Sequence, residues 1–309
     1  MSIQQIQAVA DALRSAPYDA DASVGQQRDI FEQSLSRPVP DGVALTDTTL
    51  GSRPALEVAV AASTGPAVVL YLHGGGYMVG SARTGATLAW ELAGRVNGNA
   101  YSLDYRLAPE HPFPAALDDA VAAYRDLLSR GHRPENLVIA GDSAGGGLTV
   151  ATLLALRAAG DPLPASAVVF SPWVDLTFTG DSMDTKHGVD PLFTRDRIGA
   201  YAPGYLAGRD PAEPLVSPVF ADLAGLPPLL VQVGSAEVLL DDATRLTARA
   251  AAGDVRVSLE AWPGLTHVFQ GTALPLDEAG EALDSAGRFL RAAFAHDQRG
   301  NAAFAHDHE

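Results

Sequence analysis

Short strand-like runs alternate with helix-like segments along most of this 309-residue chain. The runs are apolar, whereas the segments between them repeat apolar residues at helical spacing. The runs are 55–60, 67–72, 100–103, 137–140, 165–170, 229–233 and 255–261, and the helical segments are 86–96, 115–128, 148–159, 240–252 and 276–293. This alternation predicts an α/β fold, in which helices cover both faces of a mainly parallel sheet. Functional groups are then expected in loops at the carboxyl ends of the strands.

Two stretches fall outside the alternation and predict further parts of the molecule. Residues 1 to about 36 show helical spacing broken by a loop over 17–25, so their apolar faces must pack on another element. Residues 175–217 contain no strand-like run, and an insertion of this length either covers a site or is a plain surface excursion. We therefore predict N-terminal cap helices over 1–40, a core over 41–178 and 217–296, a cap insertion over 179–216 and a disordered tail over 297–309.

Composition excludes several classes of function. The formal net charge is −16, which repels nucleic acid and anionic membrane surfaces. Cysteine is absent, which rules out disulfides, thiolate nucleophiles and thiolate metal sites. The first residues lack a basic start followed by an apolar core, and no apolar run reaches membrane-spanning length. We expect a soluble, cytoplasmic protein that needs no cofactor or metal.

Ser143 is a candidate nucleophile. It stands in Gly141-Asp142-Ser143-Ala144-Gly145, where a strand-like run ends and a helical segment begins. A sharp turn between strand and helix holds a serine in a strained conformation with its hydroxyl clear of the surface, and only small neighbours fit there. The motif alone is weak evidence, because Gly-x-Ser-x-Gly arises by chance with a probability of about 0.1 in a chain of this length.

A glycine-rich loop supplies a candidate oxyanion hole. The run His73-Gly74-Gly75-Gly76 directly follows a buried strand, and successive glycines leave backbone N–H groups open to a ligand. A phosphate-binding loop is the rival interpretation, but neither Gly-Lys-Ser/Thr nor G-x-G-x-x-G spacing is present. We predict that the N–H groups of Gly75, Gly76 and Ala144 stabilise a developing oxyanion.

The candidate base is found by elimination among eight histidines. His267 follows the last predicted strand, in a loop where a base could face Ser143. A lone loop histidine is more often structural. His267, however, follows both Ser143 and the candidate acid Glu237, and the order serine, acid, histidine is typical of hydrolases with a Gly-x-Ser-x-Gly turn. The other seven lie in the glycine loop, beside prolines, in a turn, in the predicted cap or in the tail: His73, His111, His132, His187, His296, His306 and His308.

The candidate acid is Glu237, with Asp241 as the alternative. Glu237 lies in the turn just after a predicted strand, where a carboxylate can orient the histidine. Asp241 and Asp242 stand where the next helix begins, and capping and the helix dipole explain acidic residues there. Asp142 is not a candidate, because a side chain beside the nucleophile on a tight turn points elsewhere.

Together these residues carry a family resemblance. The blocks 73–76, 104–116, 141–146 and 264–269 occur in the order found in hormone-sensitive-lipase-like esterases (bacterial family IV) of the α/β-hydrolase superfamily, and the likeness spans about residues 40 to 295. It implies the α/β-hydrolase fold with a helical cap, Ser143 as nucleophile, His267 as base, and an oxyanion hole of Gly75, Gly76 and Ala144. The family's acid is an Asp in Asp-Pro-Leu, whereas this sequence has Glu237 and Val238 at those positions. Members of this family commonly form homodimers, so the resemblance implies a possible homodimer.

The expected function is hydrolysis of short or medium acyl esters through an acyl-serine intermediate. Alternatives are a deacetylase, amidase or lactone hydrolase with the same triad and, in another class, a ligand receptor on an inactive hydrolase fold. The receptor interpretation is disfavoured because receptors resembling this family lack the histidine. For the block 104–116 we predict a structural role, with Arg106 pairing with Glu110 and Pro114 starting a helix.

Overall fold

The computed structural model describes residues 2–16 and 22–304 of the chain, and its centre is an eight-stranded sheet. The strands lie in the order β1-β2-β4-β3-β5-β6-β7-β8. They are β1 Val43–Leu50, β2 Arg53–Val60, β3 Val68–Leu72, β4 Asn99–Leu103, β5 Leu137–Asp142, β6 Ser166–Phe170, β7 Leu229–Gly234 and β8 Val257–Trp262. Strands β1 and β2 pair antiparallel, β2 pairs antiparallel with β4, and the other pairings are parallel. The prediction of a mostly parallel sheet is confirmed.

Helices cover both faces of the sheet, because alternate side chains of the central strands point to opposite sides. In β5, Leu137 and Ile139 belong to one core and Val138 and Ala140 to the other. Helices α4 (Ala115–Ser129), α5 (Ala144–Ala159) and α9 (Leu240–Ala252) pack in the first core. Helices α3 (Ala82–Val96) and α10 (Asp277–Phe304) pack in the second. This arrangement is the predicted α/β-hydrolase fold.

Among the described residues, five further α-helices lie outside these two layers. Helices α1 (Ile3–Arg14) and α2 (Val24–Leu35) precede the sheet, and the short helices α6 (Ser182–Thr185), α7 (Arg195–Gly199) and α8 (Ala202–Leu206) lie between β6 and β7. Helix α1 buries Val9 against Leu265 and Phe269 of the loop after β8. Part of the predicted loop over 17–25, at residues 17–21, lies outside the described residues.

Helix α2 is fixed to the body of the protein through Arg28. Its guanidinium donates to the carbonyl oxygens of Met78 and Ala108 and forms an ion pair with Glu110, at 2.6 Å. Arg106 instead pairs with Asp119 of α4, at 2.7 Å. The predicted pairing of Arg106 with Glu110 is therefore wrong, because the fold brings a nearer cation to Glu110 and a buried carboxylate to Arg106.

Two boundaries differ from the predictions. Helix α4 begins at Ala115, as the predicted segment 115–128 has it, with Pro114 as its N-cap residue, but it ends one residue later, at Ser129. Helix α10 continues past residue 293, and the tail that we predicted to be disordered from 297 is instead helical as far as Phe304. Residues 305–309, with His306 and His308, lie outside the described residues.

Candidate active site

Ser143 lies on a sharp turn between β5 and α5. Its φ of 52° and ψ of −121° place it in a strained region of the Ramachandran plot. The turn requires glycine beside it: a Cβ on Gly145 would stand 2.0 Å from the Leu72 carbonyl oxygen, and one on Gly141 would stand 2.4 Å from the Gly145 oxygen. The Ser143 N–H donates to the Phe170 carbonyl oxygen, which anchors the turn to β6. The side chain faces a cavity at the carboxyl edge of the sheet.

Glu237 and His267 form a buried pair at the same edge. Glu237 follows β7 and is fully buried, and His267 follows β8 with 9% of its surface exposed. Glu237 Oε2 lies 2.6 Å from His267 Nδ1. Since Nδ1 faces a carboxylate, we assign the proton to Nδ1, which leaves Nε2 free to accept one.

The environment of His267 favours its protonated form. Burial lowers the pKa of the imidazole, but the hydrogen bond and charge of Glu237, with the charges of Asp190 and Asp142, outweigh it. The pKa of His267 is therefore raised above its usual 6.5. An imidazole of raised pKa is a stronger base, provided that the pH is high enough to leave it neutral.

Ser143 and His267 line the same cavity. Across the part of the chain that the structure describes, no direct hydrogen bond joins their side chains. Such contacts are often loose before substrate binds.

Asp241 and Asp242 are turned away from His267. Asp241 Oδ2 accepts the Ser182 N–H at 2.8 Å, and Asp242 Oδ2 accepts the N–H groups of Val174 and Asp175. Both lie in the first turn of α9, as the helix dipole favours, but neither caps the helix. The capping role that we predicted is wrong, because these side chains bind the backbone of the segment after β6.

Ser171, at the end of β6, is a hydrogen-bond partner of Glu237 that the sequence did not predict. It is fully buried, and its hydroxyl donates to Glu237 Oε1 at 2.8 Å. The same oxygen of Ser171 accepts the Val268 N–H at 3.0 Å, beside His267. The Gly234 N–H is the other donor to Glu237 Oε1, at 2.7 Å. The position of Ser171 after a central strand was the one available signal, since parallel strands end at a common edge.

The glycine loop follows β3 and adopts backbone angles that disfavour side chains. Gly75 has φ of 120° and Gly76 has φ of 60°. A Cβ on Gly75 would stand 2.2 Å from the Val79 carbonyl oxygen, and one on Gly76 would stand 2.7 Å from the Tyr201 ring. Both glycines line the cavity. Within the described residues the N–H groups of Gly75, Gly76 and Ala144 donate no hydrogen bond, so they remain available to a ligand.

The side chains of Tyr71, Tyr105 and the half-buried Asp142 hold this loop. Asp142 Oδ1 accepts the Tyr71 hydroxyl and the Gly74 N–H, at 2.8 and 3.0 Å, so its carboxylate is bound to the glycine loop. The Tyr105 hydroxyl donates to the His73 carbonyl oxygen, and its ring stacks on the His73 imidazole at 4.2 Å. Burial lowers the pKa of His73 to about 4, so this histidine is neutral. Tyr71 and Tyr105 were not foreseen from the sequence.

The cavity has a volume of about 690 Å³, which is typical of small-molecule sites. Its floor carries Ser143, His267 and the glycine loop. Its walls come largely from apolar side chains of α1, α2 and the segment between β6 and β7. Prominent among them are Val9, Leu13, Ile30, Phe31, Phe193 and Tyr201.

Residues 2–16 and 22–304 contain neither a cluster of metal ligands nor a membrane-spanning helix. There, no group of three or more His, Asp or Glu side chains is arranged to hold a metal ion. No helix in that part of the chain has the length and apolar character needed to cross a membrane.

Known proteins resemble this chain along most of its length. The sequence profile of a family with the alpha/beta hydrolase fold matches residues 69–271. An acetyl-hydrolase of Streptomyces hygroscopicus is 48% identical over 225 residues, which are 73% of this chain and 75% of that protein. An esterase of Acinetobacter venetianus is 38% identical over 223 residues, 72% of this chain and 74% of that protein. A crystal structure of an esterase from the bacterial hormone-sensitive lipase family superposes with a TM-score of 0.91 at 43% identity, and covers 94% of this chain and 98% of that one.

Proposed function

This chain belongs to the hormone-sensitive-lipase-like esterases of the α/β-hydrolase fold and is a carboxylesterase of the serine hydrolase class; from this premise we propose that Ser143, His267 and Glu237 form its catalytic triad. The observation that carries the proposal is the 2.6 Å contact between His267 Nδ1 and Glu237 Oε2, in the cavity that Ser143 also lines. A serine, a histidine and a carboxylate are recognised as a triad by geometry rather than by residue type.

In the proposed reaction, His267 Nε2 takes the hydroxyl proton as Ser143 Oγ attacks the ester carbonyl. The tetrahedral intermediate collapses, the alcohol leaves with the proton from His267, and an acyl-serine remains. Water then attacks that acyl group with His267 again as base, which releases the acid and restores the serine. Glu237 keeps the imidazole in the required tautomer and stabilises the imidazolium that forms twice per cycle.

The N–H groups of Gly75, Gly76 and Ala144 are the proposed oxyanion hole. They are free of other partners within the described residues, and the close packing around Gly75 and Gly76 leaves no room for a side chain at either position. Donors fixed in advance stabilise charge that develops in the transition state, and each is typically worth about 10² to 10³ in rate. No metal or cofactor enters this chemistry.

The parts that surround the cavity define the proposed cap. Helices α1 and α2, with the insertion over 179–216, supply most of the apolar wall above Ser143. We assign residues 1–40 and 179–216 to the cap, and 41–178 and 217–296 to the catalytic core. A cap of this kind screens the reaction from water.

The proposed substrates are small esters with short or medium acyl chains, which a series of p-nitrophenyl esters from acetate to dodecanoate tests. We expect kcat/KM to rise from acetate to butyrate or hexanoate by at most about fourfold per methylene, since each buried methylene contributes about 0.8 kcal/mol. It should then fall for the longer chains, which the proposed substrate class excludes. A maximum at dodecanoate would contradict this substrate class.

Deacetylation is a second candidate, favoured by the name of the Streptomyces hygroscopicus acetyl-hydrolase. In the same series, a rate that is highest for acetate and falls at once with chain length would favour it. A non-catalytic receptor is disfavoured, because His267 is present and hydrogen-bonded to a carboxylate.

Ser171 is proposed to hold Glu237 in the orientation that reaches His267. Replacing it with alanine removes the donor to Glu237 Oε1 and the acceptor of the Val268 N–H. We expect kcat to fall about tenfold with little change in KM, because a hydrogen bond to a charged group is worth about 1.5–3 kcal/mol. Steady-state kinetics on p-nitrophenyl butyrate measure this effect.

Ser102→Ala is the matched control for Ser171→Ala. Ser102 is likewise fully buried, at the end of β4, but its hydroxyl has no partner within the described residues. Its replacement should leave kcat within about twofold of wild type. Equal kinetics for the two variants would show that Ser171 does not act on the triad.

A further inference from the structure

Asp190 is a buried carboxylate in the insertion between β6 and β7, with only 7% of its surface exposed. Its Oδ1 accepts the N–H groups of Leu192 and Phe193, at 2.8 and 2.9 Å. Its Oδ2 accepts the Val238 N–H at 2.8 Å. One side chain thus joins two segments that lie nearly fifty residues apart in the sequence.

The Val238 bond is possible because this chain departs from its family's pattern. The residue after the triad acid is proline in the family motif, and proline has no N–H to donate. Here Val238 follows Glu237, and its N–H is buried and bonded to Asp190. The turn that carries the proposed acid is therefore tied to the proposed cap.

Through Phe193, Asp190 is also linked to the proposed base, His267. The Phe193 ring packs edge-on against the His267 imidazole, with centroids 5.1 Å apart and planes at 81°. Asp190 fixes the backbone N–H of this same Phe193. Consequently the carboxylate holds both the turn of Glu237 and the ring that covers His267.

We propose that Asp190 is a positioning residue of the esterase reaction, which holds Glu237 and Phe193 in register around His267. The proposal rests on the triad assigned above. Asp190 touches neither the substrate carbonyl nor the proton in transit; it acts through Val238 and Phe193. A misplacement of a catalytic group by about 1 Å can cost roughly a hundredfold in rate.

Asp190→Asn is the first test, because the amide keeps the shape but has only one oxygen to accept hydrogen bonds. We expect kcat on p-nitrophenyl butyrate to fall about 10- to 100-fold, and KM to change less. The acid limb of the kcat/KM profile should move to lower pH. The negative groups whose charge raises the pKa of His267 are Glu237, Asp190 and Asp142, and losing one of them lowers that pKa.

Asp210→Asn is the matched control. Asp210 also precedes a proline in this insertion and also accepts an N–H two residues on, from Ala212 at 2.9 Å, but it is exposed and bonds to neither triad segment. This variant should keep wild-type kcat and the wild-type pH profile. Thermal unfolding of both variants separates a loss of rate from a loss of fold.

Val238→Pro is an independent test that removes the shared N–H and leaves Asp190 intact. Asp190→Asn lowers kcat by a certain factor in the otherwise wild-type protein. If Asp190 acts through that bond, the same substitution should lower kcat by a factor at least about threefold smaller when Val238→Pro is already present. Should either single variant fail to fold, the kinetics of the other decide. The proposal is overturned if Asp190→Asn has the same kcat and the same acid limb of the kcat/KM profile as Asp210→Asn. It is also overturned if kcat of the double variant falls by the product of the factors measured for Asp190→Asn and Val238→Pro alone.

These outcomes are distinct from a failure of the proposed triad. Were Ser143→Ala or Glu237→Gln to retain activity, the triad itself would be wrong. Loss of activity in those two variants, with unchanged kinetics in Asp190→Asn, would refute the positioning role alone.

Discussion

Replacing Ser143 with alanine should lower kcat on p-nitrophenyl butyrate by roughly 10⁴- to 10⁶-fold. The substitution removes the one atom that forms the acyl intermediate. It leaves Glu237, His267 and the glycine loop in place, so any residual rate comes from substrate binding and the oxyanion donors. Active-site titration with an irreversible phosphonylating reagent gives a second readout, since the variant should take up no label.

Ser166→Ala provides the control for the serine hydroxyl. Ser166 is fully buried in the neighbouring strand β6, and its hydroxyl has no partner within the described residues. Activity and melting temperature should stay close to wild type in this variant. If Ser143→Ala retained more than about a hundredth of wild-type kcat, Ser143 would not be the nucleophile.

Replacing Glu237 with glutamine should lower kcat by roughly 10³- to 10⁴-fold. The amide can turn its NH₂ group toward His267 Nδ1, which then accepts a hydrogen bond and leaves the proton on Nε2. In that tautomer the imidazole cannot take the proton from Ser143. The variant also loses the charge that raises the pKa of His267, so the acid limb of any remaining kcat/KM should move to lower pH.

Asp241→Asn tests whether the choice of carboxylate is right. Asp241 lies four residues from Glu237 along the chain, but its side chain accepts the Ser182 N–H and not a histidine proton. This variant should therefore hydrolyse p-nitrophenyl butyrate at near the wild-type rate. A large loss in Asp241→Asn together with a small one in Glu237→Gln would reverse the assignment of the acid.

The fold was largely predictable from the sequence, because hydrophobic periodicity depends on residues close along the chain. The buried run at β5 and the helical spacing of α5 both have this local origin. The position of Ser143 followed from the same logic, since small residues at a strand-to-helix turn are a local signal.

Contacts between distant segments were not predictable. Arg106 pairs with Asp119, and Glu110 pairs with Arg28, because the packing of α4 and α2 brings these charges together. Ser171 and Asp190 were missed for the same reason: each bonds to a turn far along the chain, and neither stands in a periodic segment. Pairing of this kind is decided by the folded geometry, and the sequence offered at most the position of Ser171 at the end of a strand.

The cavity draws its reacting groups and its apolar wall from different parts of the chain. Ser143, Glu237 and His267, the proposed reacting groups, stand on turns at the sheet edge, whereas α1 and α2 supply much of the wall. Substitutions in α1 and α2 can therefore change which esters the cavity accepts without altering the proposed catalytic residues. The N-terminal helices are the place to begin when this scaffold is evolved toward new substrates.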